Sequence, residues 1–128
     1  MLNVLAVFLG GGAGSLIRYM VNTLFTKYNI LNFPYATLFV NIVGSFILGI
    51  FFVFFINKTN LHPAWRLALS VGFCGGLTTF STFSVETFEM IKNGYFFIAA
   101  VYIITSVIVC VLAAGAGYYI GGYLGKYV

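Results

Sequence analysis

Four long apolar runs dictate what this chain can become. Within its 128 residues, the stretches at about 2–25, 35–56, 65–91 and 95–124 each hold enough apolar residues for a membrane-crossing helix, which takes about 20. The breaks between them are short and polar: Lys27 to Pro34, Asn57 to Ala64 with His62-Pro63, and Lys92-Asn93-Gly94. Pro34 and Pro63 stand just before helix starts, where a missing N–H costs little. Short connections make neighbouring helices antiparallel. Lipid offers no hydrogen-bond partners, so the expected class is an all-α integral membrane protein, a single four-helix domain over residues 1–128. Charged residues make up 6% of the chain, against roughly 25% in a soluble domain, which leaves a surface suited to lipid. The first run exceeds the about 7–15 apolar residues of a signal-peptide core and is read as a membrane helix.

The net charge is +4, from six Lys/Arg and two acidic residues. The cations stand singly at helix ends, so there is no basic patch to hold nucleic acid. One face of the predicted bundle receives Lys58, Arg66 and Lys126, and the other receives Lys27, Lys92 and Arg18. A balance of three against three gives almost no orientation instruction. The expectation is dual topology, with two copies in opposite orientations paired as an antiparallel homodimer. Glycines and serines at four-residue spacing, as in Gly10-x-x-x-Gly14, Ser45-x-x-x-Gly49, Gly72-x-x-x-Gly76, Gly117-x-x-x-Gly121 and Gly121-x-x-x-Gly125, predict helix faces that approach closely.

The third run contains the segment Gly72-Phe73-Cys74-Gly75-Gly76-Leu77-Thr78-Thr79-Phe80-Ser81-Thr82-Phe83-Ser84-Val85-Glu86. Two glycines and two threonines at mid-span weaken a helix. Either they permit close packing, or the third helix breaks at the membrane centre and frees carbonyl oxygens able to hold a hard cation. In an antiparallel dimer one such cation could be shared by both copies. Phe80 and Phe83 share a helix face. Their rings are either a core pair or a site where two electropositive edges meet an anion, with Ser81, Thr82 and Ser84 able to add O–H donors.

Arg18, Asn41 and Glu86 each fall roughly 8–10 Å inside a helix end. A lone charge at that depth calls for a partner or a wet vestibule. Arg18 either draws an anion into a vestibule or snorkels to the headgroups. Asn41 offers N–H donors, and Glu86 either balances Arg18 or accepts from a hydroxyl. Tyr102, Thr105 and Ser106 are candidates to continue a polar track in the fourth run. Cys74 and Cys110 are expected as small buried groups without a disulfide. No phosphate-binding glycine loop precedes a lysine. One histidine, two separated cysteines and no aspartate assemble neither a transition-metal cluster nor a nucleophilic triad. The chain is not expected to be an enzyme.

Together, Cys74 followed by Gly75-Gly76-Leu77-Thr78-Thr79-Phe80-Ser81-Thr82-Phe83-Ser84, Glu86, the glycine-rich first helix with Arg18, and Val40-Asn41-Ile42-Val43-Gly44 resemble the Fluc/CrcB fluoride channels. The resemblance runs the length of the chain. It implies an antiparallel homodimer with two fluoride pores, conducting passively and relieving fluoride toxicity from the inner membrane of a bacterium. It implies a structural sodium ion held by the backbone carbonyls of Gly75 and Thr78. It implies pore roles for Asn41, Phe80, Ser81, Thr82, Phe83 and Tyr102, a vestibule role for Arg18, and places for Ser84 and Glu86 in the polar track. The fourth run departs from the pattern, with Cys110 and Ala114 where some relatives carry polar residues. The alternative is a small dual-topology, proton-coupled multidrug exporter. That mechanism needs a membrane-embedded acid, usually in the first helix, where this chain has Arg18 and no acid.

Overall fold

The computed structural model describes residues 1–28, 33–57 and 61–125, and every regular element among them is helical. Helix α1 spans Leu2–Tyr28 and α2 spans Tyr35–Asn57. The third span begins as α3, Pro63–Leu67, widens into a π-helical segment, Ala68–Cys74, and returns to α-helix as α4, Gly75–Leu77. It resumes as α5, Phe80–Lys92, and α6, Phe96–Gly125, completes the chain. Four stretches, Leu2–Thr26, Tyr35–Ile56, Pro63–Lys92 and Phe96–Leu124, are long and apolar enough to cross a membrane. The chain is a multi-pass membrane protein. Each boundary expected from the apolar pattern lies within three residues of an observed helix end. Of the balanced cations, Lys58, Lys126 and the side chain of Lys27 lie outside the described residues.

Local chemistry sets the helix ends. Pro63 opens α3, and His62 caps it by accepting the Ala64 N–H on Nδ1 at 3.2 Å. At the end of α5, Gly94 adopts φ 81°. There the Tyr95 N–H bonds the Met90 carbonyl at 2.8 Å and the Gly94 N–H bonds the Ile91 carbonyl at 3.0 Å. This pair of bonds closes a helix on a left-handed glycine and turns the chain straight into α6.

Two seams hold the bundle. In the first, α1 lies against the π-helical segment and α4; in the second, α2 lies along α6. A methyl group added at Gly10 would strike the Ala68 carbonyl, and one at Gly14 would strike Phe73 O and Leu77 N. From the other side, a methyl at Gly76 would strike Gly11 O. Here the backbones touch, which is how membrane helices associate without a hydrophobic driving force between them. Gly49 sits in the same way on Ala114, and Gly117 on Phe46. The Gly10/Gly14 and Gly72/Gly76 motifs thus face one another, while Gly125 lies where side-chain surroundings are not described. Outward faces carry large apolar side chains such as Phe8, Phe52, Phe97 and Val111. A small core of Met90, Ala99 and Tyr102 joins α5 to α6, with Leu38 and Phe83 packed on it.

Candidate functional site

The site grows from an interruption in the third span. Helix α4 ends at Leu77; Thr78 (φ −80°, ψ 157°) and Thr79 (φ −152°, ψ 115°) are extended, and α5 starts at Phe80. Gly75 and Gly76, two of the four residues expected to weaken the span, remain helical. Gly76 is used for contact with Gly11, whereas a side chain at Gly75 would meet open space.

An extended peptide between buried helices needs partners for its N–H and C=O. Asn41 of α2 supplies both. Its Oδ1 accepts the Thr79 N–H at 2.8 Å, and its Nδ2 donates to the Thr79 carbonyl at 3.2 Å. Thr79 then caps α5: its Oγ1 accepts the Thr82 N–H at 3.2 Å and donates to Thr82 Oγ1 at 2.9 Å. In a continuous helix the Thr79 and Thr82 N–H groups would bond the carbonyls of Gly75 and Thr78. Both N–H groups are diverted to side chains, so these two carbonyls lose their helical donors.

A groove of about 330 Å³ is lined by Asn41 and Ser45 of α2, by Thr78, Thr79, Phe80 and Phe83 of the third span, and by Ser106 and Cys110 of α6. The rings of Phe80 and Phe83 stand 5.5 Å apart between centroids, tilted by 40°. Phe83 also packs on Tyr102, 5.0 Å between centroids. Phe80 is 79% exposed on the single chain.

A polar cluster sits behind Phe83. Thr37 of α2 donates to Glu86 Oε1 at 2.7 Å, and Tyr102 of α6 donates to Glu86 Oε2 at 2.8 Å. The Glu86 carboxylate therefore ties three spans together. It also lines a cleft of about 700 Å³ with Tyr19, Asn22, Thr23 and Thr26 of α1.

Residues 5–118 match the family described as "CrcB-like protein, Camphor Resistance (CrcB)". The chain belongs to the CrcB family. A relative from Coxiella burnetii (strain CbuK_Q154), named fluoride-specific ion channel FluC, is 44% identical over 124 residues, covering 96% of this chain and all of the relative. Proteins of the same name from Nitrobacter winogradskyi and Geobacter metallireducens are 47% and 42% identical, over 89% and 91% of this chain and 90% and 94% of their own length.

In this CrcB-family chain the groove gathers Asn41, Phe80, Phe83 and Thr78. Ser81 is exposed, with its Oγ 3.2 Å from Thr79 Oγ1 rather than on the groove lining. Ser84 returns its hydroxyl to the Phe80 carbonyl at 2.8 Å. Tyr102 is fully buried and reaches the site through its ring and through Glu86. Arg18 is half-buried, its Nε without a hydrogen-bond partner, and makes no ion pair with Glu86. Of the two roles expected for Glu86, accepting from hydroxyls is the one observed. Cys110 departs from expectation in being half-buried on the groove rather than enclosed, while Cys74 is buried; both thiols are free.

Sequence reasoning missed Thr37 and underweighted Ser45. The signal was available: Thr37, Asn41 and Ser45 recur every four residues in α2, opposite Tyr102, Ser106 and Cys110 at the same spacing in α6. Two polar stripes at helical spacing inside apolar helices mark facing walls.

Proposed function

We propose that this chain forms a passive, fluoride-selective channel, not an enzyme, in the inner membrane of a bacterium, letting fluoride leave the cell and so lowering its toxicity. Family membership and the names of the relatives support the class. The observation that carries the reading is that Asn41, Phe80 and Phe83 converge on one groove at the interrupted peptide.

Fluoride is small and strongly hydrated, so a path for it must replace water with compact donors while avoiding a fixed cation that would trap it. The groove is built this way. One N–H of Asn41 is held by Thr79 O, and its second remains to meet an anion. The Ser106 hydroxyl has no partner. The ring edges of Phe80 and Phe83 add partial positive charge without a formal charge. Thr82 accepts from Thr79 and keeps its own O–H to donate, Ser81 adds a hydroxyl at the start of α5, and Tyr102 braces Phe83. Ser84 and Glu86 complete the polar track behind the rings. Arg18, on α1, draws anions towards the vestibule from the aqueous side. A larger, softer halide gains less from such short donors, which gives selectivity.

The working unit is an antiparallel, dual-topology homodimer in which the third span of each copy is broken at mid-membrane. The exposed Phe80 and the open face of Gly75 suit covering by a second copy. The Gly75 and Thr78 carbonyls, without their helical donors, fit a hard monovalent cation. Sodium bound there would supply the charge that satisfies these dipoles and would tie the two copies together. The proton-coupled exporter is not favoured, since α1 holds no acid.

The test is fluoride efflux from vesicles containing purified protein, read with a fluoride electrode. Untreated protein releases fluoride, and Phe80→Ile or Phe83→Ile cuts the release while the protein still elutes as a dimer. Unchanged release in both variants rejects the ring-edge role, and sealed wild-type vesicles reject the channel.

A further inference from the structure

The fourth span brings a thiol onto the groove. Cys110 lies one turn beyond Ser106 on α6, and both line the space shared with Asn41 and Phe83. Ser106 is 7% exposed, and its hydroxyl has no hydrogen-bond partner among the described residues. A buried hydroxyl without a partner is unfavourable, and a water or ligand takes that role where the space is polar and large enough to admit one. The groove is large enough at about 330 Å³ and carries Asn41 and Ser45 beside Ser106. The unpartnered Ser106 hydroxyl marks a place for a small polar ligand in this groove, and Cys110 opens onto the same space. Cys74, by contrast, is 1% exposed and enclosed by the chain. The two thiols of this chain thus differ sharply in access, and access is a main determinant of thiol reactivity.

We infer that Cys110 is a modification site for soft, ring-bearing thiol reagents of the arylmercurial class, and that the adduct occupies the groove beside Phe80 and Phe83. The walls suit such a ring, since a cavity of this size lined by aromatic and aliphatic side chains accepts an aryl group stacked on or against phenylalanine. With phenylmercuric acetate the S–H and Hg–O bonds break, an S–Hg bond forms, and the proton leaves with acetate as acetic acid. Mercury displaces the proton itself, so no oxidant is consumed and no prior ionisation of the thiol is required. The consequence for transport rests on the groove being the fluoride path; the labelling does not.

The experiment uses full-length protein in vesicles, treated with phenylmercuric acetate and divided between intact-mass measurement and fluoride efflux. Wild type and Cys74→Ser gain one phenylmercury per chain, and Cys110→Ser gains none. Efflux through wild type is lost, and excess dithiothreitol restores it. Efflux through Cys110→Ser, whatever its own level, is the same before and after the reagent. A missing adduct, an adduct on Cys74, or full labelling of Cys110 with unchanged efflux overturns the inference. If untreated wild-type vesicles release no fluoride, the channel reading fails, and the mass measurement alone decides whether Cys110 is the reactive thiol.

Discussion

Replacing Asn41 with leucine should show how much the interrupted segment depends on one side chain. The branched shape is kept in a bulkier side chain, but both bonds to the Thr79 peptide, at 2.8 and 3.2 Å, disappear. Thr79 is only 7% exposed, so its N–H and C=O are left buried. Each buried group without a partner costs about 1–3 kcal/mol. Polar bonds between membrane helices measure smaller than this, because a loosened side chain finds other partners. An extended peptide fixed between two helices has less freedom to do so, which places the loss at about 2–4 kcal/mol. At roughly 4 °C per kcal/mol for a chain of this length, Asn41→Leu should melt about 8–16 °C below wild type. Thermal unfolding of detergent-purified protein measures it, with efflux from vesicles in parallel. If Asn41→Leu melts within about 2 °C of wild type, the clamp is not what holds the break open.

Other perturbations probe the surroundings. Gly14→Ala drives a methyl into Phe73 O and Leu77 N and should destabilise by about 1–3 kcal/mol. Gly12→Ala meets open space and should leave the same melting curve unchanged or slightly raised. Tyr102→Phe keeps the ring on Phe83 but removes a donor from Glu86, and should lower stability by about 1–3 kcal/mol in that assay; an unaltered curve would show that Thr37 alone suffices. Prolonged dialysis of the protein from sodium into a bulky organic cation should dissociate the dimer on gel filtration and end efflux. Persistence of both would argue against a cation at Gly75 and Thr78.

The four spans were readable because a helix across a bilayer must be long and almost uniformly apolar, a signal that few residues can blur. Gly10/Gly14 against Gly72/Gly76 was readable for a similar reason, since only small residues let backbones touch. The wide turn at Ala68–Cys74 was not, because no residue type marks a π-helix and the run from Ala68 to Cys74 reads equally well at either pitch. The sequence marks Gly75, Gly76, Thr78 and Thr79 together as weakening the third span; in the structure the glycines stay helical and the two threonines are extended. Propensity does not choose among these four; tertiary partners decided the outcome: Asn41 captured the Thr79 peptide and Thr79 captured the start of α5. Glu86 was legible as a buried charge needing company, but Thr37 and Tyr102 could be named as its partners only once the helices were arranged.

The seam between α1 and the third span has a consequence for how the protein meets membranes of differing thickness. At Gly10, Gly14 and Gly76 there are no side chains to change rotamer, so the contact offers nothing to rearrange when the surrounding hydrocarbon thins or thickens. Mismatch must be taken up by tilting the pair as one rigid plank, or by deforming the lipid around it.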